Sequence, residues 1–315
     1  MELIRGLHNI KPYHKGCILA MGNFDGFHRG HQLLINILCE KKKNYKLPIM
    51  VMIFEPHPRE FFSKIVRIRL SKFRDKIQYL FTAGVDIILC IAFNKKFAST
   101  EAYNFVKKIL IYKLGVQFIC IGNDFRFGAC RKGDYKFLKK IGNQEGFQVA
   151  CIETCVDKLG QKISSTSIKI ALMEDRIMDA EFLMGHAYRV FGKVIHGNKL
   201  GRIIGFPTAN VFLQGKQLPM NGVYAVTVYG VCDLPLPGIA NIGIRPTITG
   251  SSIQQLEVHI FNISIDLYLR YITVVFLKKI RNEQYFRSIR MLKNQIKNDM
   301  LIVCEYFKKY PNIMR

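Results

Sequence analysis

The sequence predicts two domains of different class: an α/β domain with a doubly wound parallel sheet, followed by an antiparallel β domain closed by a helix. Three observations carry this. At 315 residues the chain exceeds a single typical core of roughly 100–200 residues. From residue 16 to about residue 180, short apolar runs alternate with segments of helical spacing. Past about residue 185 the rhythm changes to β-rich pieces separated by Gly, Pro and Asn turns.

In chain order, CILAM (17–21), PIMVMIF (48–54), VDIILCIAF (85–93), VQFICIG (116–122) and FQVACIE (147–153) are the expected strands. They are near-continuous apolar runs, as strands covered on both faces require. HQLLINILCEKKK (31–43) fills the first gap, SKFRDKIQYLFTAG (71–84) the second and STEAYNFVKKILIYKLG (99–115) the third, the last two opening on a Ser cap. Repeated β-α units of this kind give a doubly wound sheet. Its chemistry should lie in the loops after the strands, because ligands bind at the carboxyl ends. YRVFGKVIHG (188–197), YAVTVYGVC (224–232), QQLEVHIFNI (254–263) and YITVVFL (271–277) read as antiparallel strands of a barrel or sandwich. From Arg281 to about Lys309 the pattern is helical, with Phe286, Ile289, Leu292 and Ile296 spaced for one buried face. The domains are expected to span 1–182 and 183–315.

The content of 49% hydrophobic and 22% charged residues is that of a globular chain, and the longest apolar runs fall far short of the ~20 residues of a membrane span. Met1-Glu2-Leu3 opens no secretory signal, and a cytoplasmic protein is expected. The nine cysteines include no C-x-x-C, and no second ligand pair lies near Cys151 and Cys155. Structural thiols are expected rather than zinc. A net charge of +24 raises nucleic acid or an acidic membrane surface as partners. The basic residues are dispersed, however, with only short clusters such as Lys41-Lys42-Lys43. Attraction of a polyanionic substrate such as ATP uses the same charge.

GNFDGFHRGH (22–31) follows the first strand and leads into the first helix. A Gly-rich strand-to-helix loop brings phosphate to backbone N–H groups, and the helix N-terminus adds a favourable dipole. Gly22, Asn23, Phe24, Asp25 and Gly26 are therefore candidate nucleotide-binding residues. His28 and His31 are candidate catalytic donors to charge growing on the α-phosphate and the leaving pyrophosphate. KISST (162–166) opens a helix at about Ser167 and offers Lys162, Ser165 and Thr166 as a second phosphate clamp, although Ser-Ser-Thr is also an ordinary cap. The two motifs resemble the HIGH and KMSKS elements of nucleotidylyltransferases and class I aminoacyl-tRNA synthetases. With FEPHPREFF (54–62), GVD (84–86) and IGNDFRFGACRKGD (121–134), residues 14–180 resemble the FMN adenylyltransferase module of bacterial bifunctional FAD synthetases. That resemblance implies a Rossmann-like nucleotidyltransferase domain, with His57 and Asp124 in the substrate pocket; Phe125 and Phe127 fit pocket or core. Ser167 and Lys169 stand where that family commonly has Arg, and Lys lacks its bidentate fork.

HGNKLGRIIGFPTANV (196–211) is a Gly-rich turn running into a strand, with Thr208 and Asn210 on one face. A hydroxyl and an amide so placed suit hydrated Mg²⁺ and ATP phosphates. GRIIGFPTANV, NGVYAVTV, GIANIGIRPTITG and LEVHIFNISIDLY, followed by the IRNEQYF helix, resemble the riboflavin kinase module across about 185–305. The resemblance implies a six-stranded antiparallel barrel with a C-terminal helix, Glu257 as catalytic base, Thr208 and Asn210 on the metal, and Gly201, Arg202 and Gly205 in the nucleotide loop. Where that family usually continues DLYGK, Leu269-Arg270 follow Tyr268.

The expectation is a two-site flavin enzyme with Mg²⁺ and ATP, acting on riboflavin and FMN and needing neither nucleic acid nor membrane. A tRNA-charging or RNA-modifying enzyme accounts for H-x-G-H, KISST and the charge, but leaves the barrel motifs unexplained. A non-catalytic nucleic-acid binder leaves His28, His31, Thr208, Asn210 and Glu257 unexplained.

Overall fold

A computed structural model describes residues 1–63, 68–157, 160–197, 200–214, 217–246, 252–263 and 265–311. The chain divides into two compact units, residues 1–66 with 73–165, and residues 67–72 with 166–315.

The first unit is built on a six-stranded sheet: β1 (Glu2–Arg5), β2 (Cys17–Met21), β3 (Ile49–Glu55), β4 (Ile87–Ala92), β5 (Val116–Gly122) and β6 (Gln148–Ile152). All pairs are parallel, in the order β1-β4-β3-β2-β5-β6. The five expected strands are present; β1 is an addition, an edge strand of four residues too short to show a period. Its helices are α1 (Arg29–Tyr45), α2 (Pro58–Phe62), α3 (Phe73–Thr82), α4 (Lys95–Ala98), α5 (Ala102–Asn104) and α6 (Tyr135–Glu145), with α5 continuing as a π-helix over Phe105–Lys113. One face of the sheet packs on Leu34, Ile35 and Leu38 of α1 and Leu80 of α3. The other packs on Val106 and Ile109 of the π-helix and Leu138 and Ile141 of α6. Covered on both faces, β2 is buried at all five positions, which is why it reads as an uninterrupted apolar run. Strand order reverses between β2 and β5, and there the crevice at the carboxyl ends opens. The loops leaving these two strands carry GNFDGFHRGH and GNDFRFG.

The helix α7 (Ser165–Met173) starts on the last residue of the first unit; the second unit holds the rest of it and α8 (Ile177–Met184), then β7 (Arg189–Ile195), α9 (Leu200–Ile203), β8 (Ala209–Val211), β9 (Gly222–Tyr229), β10 (Leu236–Pro246), β11 (Ser252–Ile260), β12 (Tyr271–Arg281) and α10 (Ile289–Lys309). The six strands form a closed antiparallel barrel in the order β10-β11-β8-β7-β12-β9, which decides between barrel and sandwich. α7 starts at Ser165, two residues before the expected position. The sequence hid β10 because Pro237, Gly238, Gly243 and Pro246 break its apolar pattern. Residues 247–250, the TITG end of GIANIGIRPTITG, lie outside the described residues.

The closing helix begins later than its periodicity implied, and its buried face lies further along. Ile289 is 59% exposed, whereas Asp299 and Val303 are buried. Leu292 and Ile296 instead line a cavity against the barrel. Docking rests partly on charge: Arg281 Nε donates to Asp299 Oδ1 and Oδ2 at 3.0 and 2.9 Å, and Gln295 Nε2 donates to Asp299 Oδ1 at 2.8 Å. All nine cysteines are free thiols. No helix among the described residues is long and apolar enough to cross a membrane.

Leu269, at the position where the resembling family has Gly, has φ of 66° and is 63% exposed. A Cβ in this left-handed region costs about 1–2 kcal/mol, part of which a glycine returns through its freer unfolded chain. Leu269→Gly is therefore expected to stabilise the barrel by about 0.5–1 kcal/mol, read as a higher denaturation midpoint; a lower midpoint would contradict this account.

Candidate active sites

In the first unit the helix α1 starts at the mouth of the β2/β5 crevice. His28 is its N-cap in extended conformation, and His31 N–H donates to the His28 carbonyl at 2.8 Å. This first turn stacks the two imidazoles, ring centroids 3.7 Å apart and 20° from parallel. The Phe24 ring lies 4.8 Å from that of His31. Gly30 permits the stack, since a Cβ at this position would meet the His28 ring at 3.2 Å. His28 is buried and His31 half-buried, and their Nδ1 atoms, with Asn23 Oδ1, have no hydrogen-bond partner among the described residues.

Burial disfavours the charged imidazoles. It pulls His28 down to about 4, against the opposing pull of Asp25 and Asp124, with Lys162 adding to the depression. His31 is held well below its usual value by burial, by His28 and by Lys76. Lys76, on α3, is itself buried and pairs at 3.6 Å with Glu55 at the end of β3. At neutral pH the stack is thus a pair of neutral rings at a positive helix end.

Gly22 N–H donates to Met52 O at 3.1 Å, which ties the loop to β3. Phe24 is buried and Gly26 has φ of 79°. The Asp25 carbonyl accepts from Ser165 Oγ at 2.8 Å, so the SST motif anchors the GNFDGF loop. Thr166 is the second residue of α7. Lys162 and Asp124 form an exposed 2.5 Å ion pair that holds the Asp124 carboxyl below its usual range. His57 is occupied locally: its Nδ1 accepts from Arg59 N–H at 3.0 Å, and Glu60 accepts from the His57 N–H at 3.3 Å, capping α2. Beside it, Phe61 and Phe62 of α2 lie 5.5 and 5.9 Å from Phe93, which neighbours Phe54 and Phe97. Phe62 is 72% exposed, leaving an aromatic surface next to this loop.

In the second unit the two-residue period of the strands sorts the side chains. Leu256 and Val258 face the barrel core, and Glu257 between them points the other way, into a cavity of about 560 Å³. Glu257 pairs in register with Asn210 of β8 on one side and with Asn241 of β10 on the other. Thr208, one alternation before Asn210, lines the same cavity together with Gly201 of α9. A Cβ on Gly201 would stand 3.1 Å from Thr208 Oγ1. Arg281, Phe286, Leu292 and Ile296 form the wall toward α10.

A second cavity of about 490 Å³ is lined by Arg202, Thr208, Ala209, Val258 and Ile260, with Asp266, Leu267 and Tyr268. Thr208 borders both cavities, and Gly205, with φ of 89°, ends the turn after α9. Barrel register thus brings Glu257 beside Thr208 and Asn210, which precede it by more than forty residues in the sequence. Asn241 and Glu283 also line the first cavity. The motifs GIANIGIR and IRNEQYF contain them, but only strand register and the cavity single them out.

Comparisons with known proteins agree with this layout. The FAD synthetase family model matches residues 10–167, and the riboflavin kinase model matches residues 184–307. The chain is 48% identical over 309 residues to a bifunctional riboflavin kinase/FMN adenylyltransferase of Escherichia coli (strain K12), covering 98% of each chain. It is 46% identical over 314 residues to the protein of that name from Buchnera aphidicola subsp. Acyrthosiphon pisum, covering 99% of this chain and 100% of the relative. A solved structure called macrolide-efflux protein, from Streptococcus pneumoniae, superposes with a TM-score of 0.82 at 29% identity, covering 96% of this chain and 98% of that one. With both catalytic modules present in one chain, and relatives matched from end to end, this protein belongs to the family of bifunctional riboflavin kinase/FMN adenylyltransferases.

Proposed function

We propose that the two cavities of the barrel are the two halves of the riboflavin kinase site, with the α10 cavity taking the flavin and the second cavity taking ATP. The observation that carries this is the in-register Asn210–Glu257 pair beside Thr208, which borders both cavities. Glu257 accepts the proton of the terminal ribityl hydroxyl as that oxygen attacks the γ-phosphorus and ADP departs. Thr208 and Asn210 offer neutral oxygen ligands on one strand face, which fits Mg²⁺ bound largely through nucleotide and water. When bound, Mg²⁺ neutralises charge on the ATP phosphates. Arg202 borders the nucleotide cavity, and Gly201 and Gly205 shape its turn.

In the first unit, the FMN phosphate oxygen attacks the α-phosphorus of ATP and pyrophosphate leaves. His28 and His31 donate hydrogen bonds to the developing charge at the start of α1. Gly22 to Gly26 bring backbone to the phosphates, with Lys162, Ser165 and Thr166 as the opposing clamp. Asp124 and the aromatic surface beside His57 receive the flavin, whose ring stacks on aromatic faces. The +24 charge draws ATP and FMN, and no nucleic acid or membrane is needed; the protein works in the cytoplasm. Incubation with riboflavin, Mg²⁺ and ATP labelled at the α or γ position tests the reading. FMN should carry the γ label and FAD the α label in its adenylyl half, with ADP and pyrophosphate released. Failure to form FMN would overturn it.

The boundary between the activities is placed at residues 182/183. Residues 183–315 expressed alone should make FMN and no FAD. Because α8 packs on β12, a fragment from residue 166 should melt at a higher temperature than one from 183. A folded 183–315 fragment without kinase activity would count against two separable modules.

A further inference from the structure

The flavin cavity holds more hydrogen-bonding groups than phosphoryl transfer uses. Asn210, Glu257 and Asn241 form one row across β8, β11 and β10, in register and on one face. Such cross-strand neighbours have Cβ atoms roughly 4.5–5.5 Å apart. Two residues beyond Asn241, Gly243 occupies the same face of β10. A Cβ at Gly243 would collide with Glu283 Oε1 and stand 3.2 Å from Asn241 Nδ2. The Glu283 carboxylate therefore lies over bare backbone on the flank of the Asn241 amide, a seat that only glycine leaves open. Among the described residues, no hydrogen bond or ion pair engages the side chain of Asn241 or Glu283. Both line the cavity all the same.

Direction follows from sequence adjacency. Glu283 precedes Tyr285 and Phe286, and these with Leu292 and Ile296 make the apolar end of the cavity, suited to the flavin ring. Between that end and Glu257, which takes the terminal hydroxyl, lie the remaining hydroxyl groups of the substrate. We infer that Asn241 and Glu283 form a subsite for the secondary hydroxyls of the ribityl chain, the amide donating to them and the carboxylate accepting from them. This rests on the barrel cavity being the flavin pocket.

The test compares riboflavin with an isoalloxazine carrying a 5-hydroxypentyl chain at N10, which keeps the terminal hydroxyl and lacks the secondary ones. In the full chain, riboflavin should be preferred in kcat/KM by about 10² or more, since a site built to bind hydroxyls rejects an analogue without them. Asn241→Ala, Glu283→Ala and Gly243→Ala should each cost about 10–100-fold on riboflavin and little on the analogue, with KM for Mg-ATP unchanged. Glu283→Gln, equal in size, should lose part of the same preference and carries the test if the Ala variant fails to fold. Equal losses on both flavins would overturn the subsite while leaving the flavin pocket in place. No loss on either flavin would overturn the pocket as well.

Discussion

Glu257→Gln is expected to lower kcat for riboflavin phosphorylation by about 10²–10⁴ while the KM for riboflavin changes little. The amide keeps the shape of the carboxylate and its place between Asn210 and Asn241, so the flavin should seat as before; what is lost is the capacity to take the hydroxyl proton as the phosphoryl group transfers. Asn210→Ala makes the contrast. Losing an oxygen donor beside Thr208 should raise the apparent KM for Mg-ATP as well as slow turnover. FAD formation from supplied FMN should survive both changes, because that chemistry belongs to residues of the other unit. The decisive measurement is steady-state FMN formation at saturating riboflavin and Mg-ATP. A Glu257→Gln enzyme working at near the native rate would reduce Glu257 to a solvated strand carboxylate.

What the sequence made legible follows from how locally each feature is encoded. The parallel strands β2 to β6 announce themselves because burial on both faces demands unbroken apolar runs. β1 has four residues, and its place is set by pairing with β4, a long-range fact. β10 was masked by its own prolines and glycines, and Gly243 is present for a reason that sequence does not display: a carboxylate forty residues away lies on it. The start of α10 is not legible because apolar spacing between 286 and 296 marks the wall of a cavity, whereas the buried face is fixed by Asp299, a charged residue that periodicity discounts. The site residues divide in the same way. His28 and His31 sit in one contiguous motif; the neighbourhood of Glu257, Asn210 and Asn241 exists only through barrel register. Lys76 gave no signal within its amphipathic segment, yet its buried charge helps keep His31 neutral.

His28→Ala and His31→Ala are each expected to cut FMN adenylylation by about 10²–10³ and leave FMN production from riboflavin intact. The stack at the start of α1 has both Nδ1 atoms buried and unpartnered among the described residues, an environment in which a donor aimed at a growing phosphate charge is worth far more than in water. The pH dependence has a definite sign. Both imidazoles are depressed, His28 to about 4 and His31 well below its usual value, so the folded protein binds fewer protons than the unfolded chain below the ordinary value of 6.5. Stability should therefore hold above about pH 6.5 and fall as pH drops from there toward about 4, and His28→Ala should flatten part of that decline. For the same reason kcat/KM for FAD formation should show no histidine limb between about pH 6 and 8, since both rings are already neutral and still carry one N–H each. Measuring both half-reactions on each variant separates the roles: if FMN and FAD formation fall together, the change has damaged the chain as a whole, and if neither falls, the stacked pair is packing and the donors to the α-phosphate lie elsewhere.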